Sequence, residues 1–211
     1  MQEFCFYYLL FVLYAMMGWI MEIIVCSISE NKLVDRGFLI GPYCPIYGVG
    51  AITIIFLLQP FLYDPLLVFL FSSFFCAIIE YNTSYIMEKL FNARWWDYSE
   101  QLLNLNGRIT LKNTIAFGLL GLLLLFFINP FISDLVNKIP DSNLVIITII
   151  IMIAMAIDAI TTFIIVYKLK STWKQIKKDS TEEITRKVKA ILKTHPFTKR
   201  LINAFPNIHF K

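Results

Sequence analysis

Five apolar runs, at about residues 4–26, 46–62, 66–88, 109–129 and 143–167, take up most of this chain. A membrane-spanning helix needs about 20 such residues, with about 17 to 25 tolerated. With 58% hydrophobic residues, 16% charged residues and a mean hydropathy of +0.67, the chain lies far from the roughly 25% charged residues of soluble domains. The expected fold is therefore all-α, a polytopic membrane bundle of about five transmembrane helices. Residues 1–167 form the bundle, and residues 168–211 follow as a basic tail. The second span is the shortest, because Gly48 and Gly50 sit near its start while Gln59 and Pro60 end it early. It is expected to be short, tilted or partly re-entrant. Met1-Gln2-Glu3 lacks the positive n-region of a secretory signal, so the first run is expected to stay as a span.

Charge sets an expected orientation. After Tyr167 the chain carries twelve Lys or Arg against three acids, Asp179, Glu182 and Glu183. Positive-inside bias places such a tail in the cytoplasm. Counting back through five spans puts residues 27–45 and 89–108 inside too, and these hold Lys32, Arg36, Lys89, Arg94 and Arg108. The segments left outside contain one basic residue, Lys138. The expected location is a bacterial cytoplasmic membrane, with the amino terminus outside and the carboxyl terminus inside. Cys5, Cys26, Cys44 and Cys76 show no C-x-x-C pairing and read as buried small hydrophobes.

Four acids, Glu22, Glu80, Glu88 and Asp158, stand inside or at the edge of these runs. A carboxylate in hydrocarbon costs at least about 2.5 to 3.5 kcal/mol, so each must face a partner, a cavity or a headgroup. Glu80, Ser84 and Glu88 share one helix face, and Trp19, Glu22 and Cys26 form a similar stripe. Thr161 and Thr162 can hydrogen-bond toward Asp158, which has no basic residue near it on its own span. One reading pairs the acids internally with Arg36, Arg94 and Arg108, knitting loops to helices. The other is a polar cavity on the cytoplasmic side that binds an ion, a proton or a polar headgroup.

The two inward loops carry the most distinctive sequence. Residues 35–50 hold four of the eight glycines and two of the eight prolines, which predicts an ordered, non-helical lead-in to the second span. That segment is either a tight packed turn or a backbone-lined binding surface. The second loop reads Arg94-Trp95-Trp96-Asp97-Tyr98-Ser99 and then Asn104-Leu105-Asn106-Gly107-Arg108-Ile109. Its paired tryptophans suit an interfacial aromatic belt. The Asn106-Gly107-Arg108 step offers backbone donors and a guanidinium, a combination suited to a carboxylate or phosphate. Candidate cavity residues are thus Glu22, Glu80, Asp158, Arg36, Arg108, Asp97, Trp96 and Asn106.

The blocks Gly18-Trp19-Ile20-Met21-Glu22, Asp35-Arg36-Gly37-Phe38-Leu39-Ile40-Gly41-Pro42, Cys44-Pro45-Ile46-Tyr47-Gly48, Glu80-Tyr81 and the two segments of the second loop occur in order. Together they resemble the bacterial family called putative ABC transporter type IV, over about residues 8–165. The family's name implies a permease component; it carries no established substrate or catalytic residue set to this chain. Where many members have Asn before Arg-Gly-Phe, this chain has Asp35, an added partner for Arg36.

The chain has no Gly-x-x-x-x-Gly-Lys-Ser/Thr phosphate loop, so any ATP hydrolysis is expected from a separate subunit. Five spans are few for a translocation path, which favours a homodimer or a complex. In the tail, Ser180-Thr181-Glu182-Glu183 fits a capping box ahead of an amphipathic helix at about 181–194, suited to anionic lipid or a partner. Membrane lipids are expected partners and nucleic acid is not. No cofactor is expected, and His195 and His209 have no ligand-like spacing. Three function classes follow: a transporter or permease-like component, an intramembrane enzyme or headgroup-binding protein using paired carboxylates, and a non-catalytic scaffold.

Overall fold

A computed structural model describes residues 1–31, 35, 37–178, 197 and 209–210. It is a helical membrane bundle whose long elements begin and end where local chemistry dictates. α1 runs Gln2–Glu30 and stops on Asn31 at φ 50. α3 runs Pro65–Phe91 and stops on Asn92 at φ 53. Asparagine visits the left-handed region more readily than other side chains with a Cβ, so both helices end on a residue suited to reversing the chain. α2, Pro45–Leu58, and α3 each open on a proline at the first helical position, where the missing N–H costs nothing. Asp64 caps α3 by accepting from the N–H groups of Leu66 and Leu67 at 2.9 and 3.2 Å.

Among the described residues, four helical stretches are long and apolar enough to cross a membrane: Gln2–Ile28, Pro65–Phe91, Leu111–Asn137 and Asp141–Lys168. α2 is shorter. Its 14 residues span about 21 Å at 1.5 Å per residue, less than a hydrocarbon core of about 30 Å. One 3-10 turn, Gln59–Phe61, extends it before the chain reverses.

The fourth span differs from the expected 109–129. α4, Leu111–Leu123, passes through a π turn, Leu124–Ile128, into α5, Asn129–Asn137. Pro130 cannot donate to the carbonyl four residues back. The N–H of Asn129 reaches five residues back to Leu124, and the helix absorbs the proline rather than ending at it. The last helix, α6, runs Asp141–Lys178 and so continues past the apolar run that defines it in sequence.

Lipid tails are as apolar as leucine, so close packing holds such helices together. On α4, a Cβ added at Gly121 would lie 2.1 Å from Ser72 Oγ, and one at Gly118 would lie 2.3 Å from Ser73 Oγ. These two glycines let α4 sit directly on α3 within one chain. The buried core joins Leu10 and Tyr14 of α1, Ile54 and Leu58 of α2, Val68 of α3, and Leu124 and Leu125 of the π turn. Among the four spans, the Asp141–Lys168 stretch of α6 is the least enclosed: Ile146, Ile150, Ile153, Ile157, Ile160 and Ile164 are all exposed.

Residues 93–110 close one end of the bundle. Strand β1 is Ala93–Arg94, while β2, Asn104–Leu105, pairs antiparallel with β3, Ile109–Thr110. β1 pairs with β4, His209–Phe210. Trp95 does not stand in an interfacial belt. It is buried, its ring 4.9 Å from that of Phe38 and 6.0 Å from that of Phe91, and the Phe91 ring in turn lies tilted 5.3 Å from that of Phe163. Four rings thereby lock the first loop, the end of α3 and α6 together. The tail helix expected at 181–194 lies outside the described residues.

Candidate functional site

A cavity of about 700 Å³ lies among α1, α2, α3 and α4, reaching Ala159 and Phe163 on α6 and floored by Trp95, Trp96 and Tyr98. Ligand pockets commonly occupy about 300 to 1,000 Å³. Two of the membrane acids border it, Glu22 on α1 and Glu80 on α3. Tyr47 Oη donates to Glu22 Oε1 at 2.5 Å, and Cys26 Sγ, one turn on, lies 3.6 Å from Oε2. Gly18 makes the tyrosine contact possible, because a Cβ there would fall 2.3 Å from Tyr47 Cγ. Glu80 is 8% exposed. Asn113 and Tyr98 hydrogen-bond its carboxyl, and Glu22 is near enough for its charge to act on it. Glu80 Oε2 nevertheless has no hydrogen-bond partner among the described residues. Among the described residues lining the cavity there is no Lys, Arg or His.

Asp158, the acid without a basic neighbour on its own span, is satisfied differently. Its Oδ1 accepts from the N–H of Ile40 at 3.0 Å and from Thr162 Oγ1 at 3.1 Å. Its Oδ2 accepts from the N–H of Gly41 at 2.8 Å and from Tyr43 Oη. The N–H of Cys44 bonds Ala15 O at 2.9 Å. The Gly-Pro-rich loop is therefore an ordered strap between α1 and α6, and Asp158 is the post that holds it. Thr161 bonds back to its own helix at Ile157 O, 2.8 Å.

Arg108 and Glu88 belong to a second cluster. Glu88 Oε2 accepts from Arg108 Nη2 at 2.7 Å and from Arg94 Nε at 3.1 Å. Arg108 Nη1 donates to Ser84 Oγ at 3.1 Å, and its guanidinium lies over the rings of Tyr81 and Tyr85 at 5.7 and 5.4 Å. Arg94 Nη1 reaches Asp97 Oδ2 at 3.2 Å. Burial alone would raise Asp97, but hydrogen bonds from Ser99 and the charge of Arg94 hold it below the usual carboxylate range. For Arg94, burial is outweighed by Glu88 and Asp97, and the guanidinium is held more firmly protonated than usual. A smaller cavity of about 400 Å³ opens beside this cluster, lined by Tyr85, Glu88, Lys89, Asn92, Arg94 and Arg108. Asn106 Nδ2 donates to Tyr81 Oη at 2.9 Å, and Trp96 Nε1 donates to Arg108 O at 3.2 Å.

The structure thus divides the eight residues singled out in the sequence. Glu22, Glu80 and Trp96 line the large cavity; Asp158 holds the strap; Arg108, Asp97 and Asn106 build the second loop. Arg36 lies outside the described residues. Its neighbour Asp35 accepts from Trp19 Nε1 at 3.0 Å and from the N–H of Gly37 at 3.1 Å. Sequence reasoning missed Tyr43, Tyr47, Tyr98 and Asn113. Asn113 stood near the start of an apolar run and could have been flagged; the tyrosines carry no sequence signal beyond lying in or beside the two loops. Among the described residues, no group of three or more His, Cys, Asp or Glu side chains is placed to hold a metal ion.

Residues 9–163 match the family model described as "Putative ABC-transporter type IV". No curated protein and no solved structure matches the chain.

Proposed function

The chain belongs to the putative ABC-transporter type IV family, and from that premise we propose that it is a permease-like membrane component whose large cavity is a substrate chamber. The observation that carries this reading is the pair Glu22 and Glu80, bordering one cavity with no cation among its described lining residues. A protein using these acids only to weld helices would be expected to pair them with arginine, as it does Glu88. Here they border space of ligand size.

In this reading Glu22, oriented by Tyr47, and Glu80 supply charge inside an apolar chamber, where low dielectric strengthens it. Asp158 keeps the 37–44 strap closed over the adjoining side, and the Arg94–Glu88–Arg108 cluster makes a rigid end wall. The sequence holds no phosphate loop, so in this reading a separate subunit supplies any ATP hydrolysis. The chain sits in a bacterial cell membrane with its basic tail in the cytoplasm. A headgroup-binding role finds its support in the 400 Å³ cavity, where Lys89, Arg94 and Arg108 outnumber Glu88.

The test compares cells lacking the protein with cells carrying wild type or Glu22→Gln/Glu80→Gln, reading small-molecule content inside and outside by mass spectrometry. The expected result is that the double variant, present at normal level in the membrane, reproduces the deletion profile. A double variant indistinguishable from wild type, in a comparison where deletion has an effect, would overturn the chamber reading.

A further inference from the structure

Resting on the chamber reading above, the ligand's chemical class follows from what the wall offers and what it lacks. Glu80 is more than nine-tenths buried, and its Oε2 has no hydrogen-bond partner among the described residues. Glu22 lines the same space and, among the described residues, accepts from a tyrosine hydroxyl and a thiol. An anion placed there would meet two carboxylates and no described basic side chain. A neutral apolar molecule would leave both acids without a counter-charge in a low-dielectric interior. A small hard cation is no better served. Calcium takes about 6 to 8 oxygen ligands and magnesium a near-ideal octahedron, whereas this wall is mostly apolar and no three-residue metal group is placed among the described residues.

What remains is a molecule with one positive centre and a bulky apolar body. The chamber suits both parts. Phe38, Tyr47, Trp95, Trp96, Phe117 and Phe163 contribute aromatic rings to its lining, and ring faces attract cations, more strongly where water is displaced. Met17, Met21 and Met87 add flexible, polarizable surface that adapts to irregular shapes. We propose that the chamber binds an amphipathic organic cation, its positive centre held by the Glu22 and Glu80 carboxylates and its apolar body against the aromatic and methionine wall.

The experiment uses tetraphenylphosphonium and tetraphenylborate, ions of nearly one shape and opposite charge. Each is titrated by equilibrium dialysis against the full chain in lipid nanodiscs, with binding to protein-free discs subtracted. The proposal predicts saturable binding of the phosphonium near one per chain. It predicts weakening by about 10- to 100-fold in Glu80→Gln and in Glu22→Gln, the range expected for one charge-assisted contact. Glutamine keeps each side chain's shape, and size-exclusion profiles check that the variants are folded. Should they not fold, the wild-type contrast between the two ions still decides.

Saturable borate binding, or phosphonium binding that both glutamine variants retain, overturns the cation class while leaving a chamber of different specificity. Binding of neither ion also overturns it, and the chamber reading then stands or falls on the cellular comparison alone.

Discussion

Replacing Asp158 with alanine removes the acceptor of four hydrogen bonds at once, two of them from the backbone of the 37–44 strap. Polar contacts between membrane helices average about 0.6 kcal/mol in double-mutant cycles. Bonds to charged groups reach about 1.5 kcal/mol and above. Four such bonds therefore lie between about 2.4 and 6 kcal/mol. Ile40 is exposed at 42%, so water can replace part of what is lost and the lower half of that range applies. At about 3 kcal/mol, strap opening becomes about a hundredfold more frequent. Asp158→Asn keeps one acceptor oxygen but turns the other into a donor facing the N–H of Gly41, and should recover less than half of the loss. Amide hydrogen exchange read by mass spectrometry on peptides covering residues 37–47 measures the opening directly. Exchange at Ile40 and Gly41 should accelerate about a hundredfold in Asp158→Ala, with the α3–α4 pair unchanged. Unaltered strap exchange in that variant would refute the reasoning that Asp158 is spent on the strap.

Glu88→Gln leaves Arg108, whose side chain is 9% exposed, without its shared carboxylate. Losing a partner from a buried pair costs about 3 to 5 kcal/mol and partial exposure trims this, so thermal unfolding in detergent should report a loss of about 2 to 3 kcal/mol. Gly121→Ala places a methyl 2.1 Å from Ser72 Oγ and should cost about 1 to 3 kcal/mol by overpacking; adding Ser72→Gly should return most of it, and a Gly121→Ala protein as stable as wild type would count against the close α3–α4 contact. Asp97 is held below the usual carboxylate range, so its contribution is fully present above the unfolded value of about 3.9 and is lost as pH falls through the lower folded value. Protection factors at residues 97–107, with exchange corrected for its intrinsic pH dependence, should therefore fall on acidification below about pH 4, and Asp97→Asn should remove that fall.

The bundle itself was legible because length and hydropathy decide it: four long helices occur where the long apolar runs lie, and the run interrupted by Gly48, Gly50 and Pro60 is the short one. Faces were not legible. A helix apolar all round, such as α6, gives the 3.6-residue period nothing to distinguish, so nothing local told whether Asp158 faced a cavity or the Ile40–Gly41 backbone, 117 and 118 residues away in sequence. The extension through Pro130 was hidden for another reason. A proline normally ends a helix, and only the five-residue backward bond of Asn129 reveals the turn that accommodates it. Trp95 and Trp96 look alike in sequence, yet one is buried in a ring cluster while the other reaches a backbone carbonyl. Glu22 and Glu80 were recognisable as costly, but Tyr47, which orients the first, became visible as its partner only in three dimensions.

Cys76 lines the large cavity one turn before Glu80, and it offers the most direct test of the central claim. In a variant retaining Cys76 as its single cysteine, labelling rates would be measured with methanethiosulfonate reagents bearing a trimethylammonium or a sulfonate. An acid-lined chamber predicts that the cationic reagent reacts about tenfold faster, and that Glu22→Gln/Glu80→Gln removes the bias. Equal rates for the two reagents, or a Cys76 inert to both, would contradict the account.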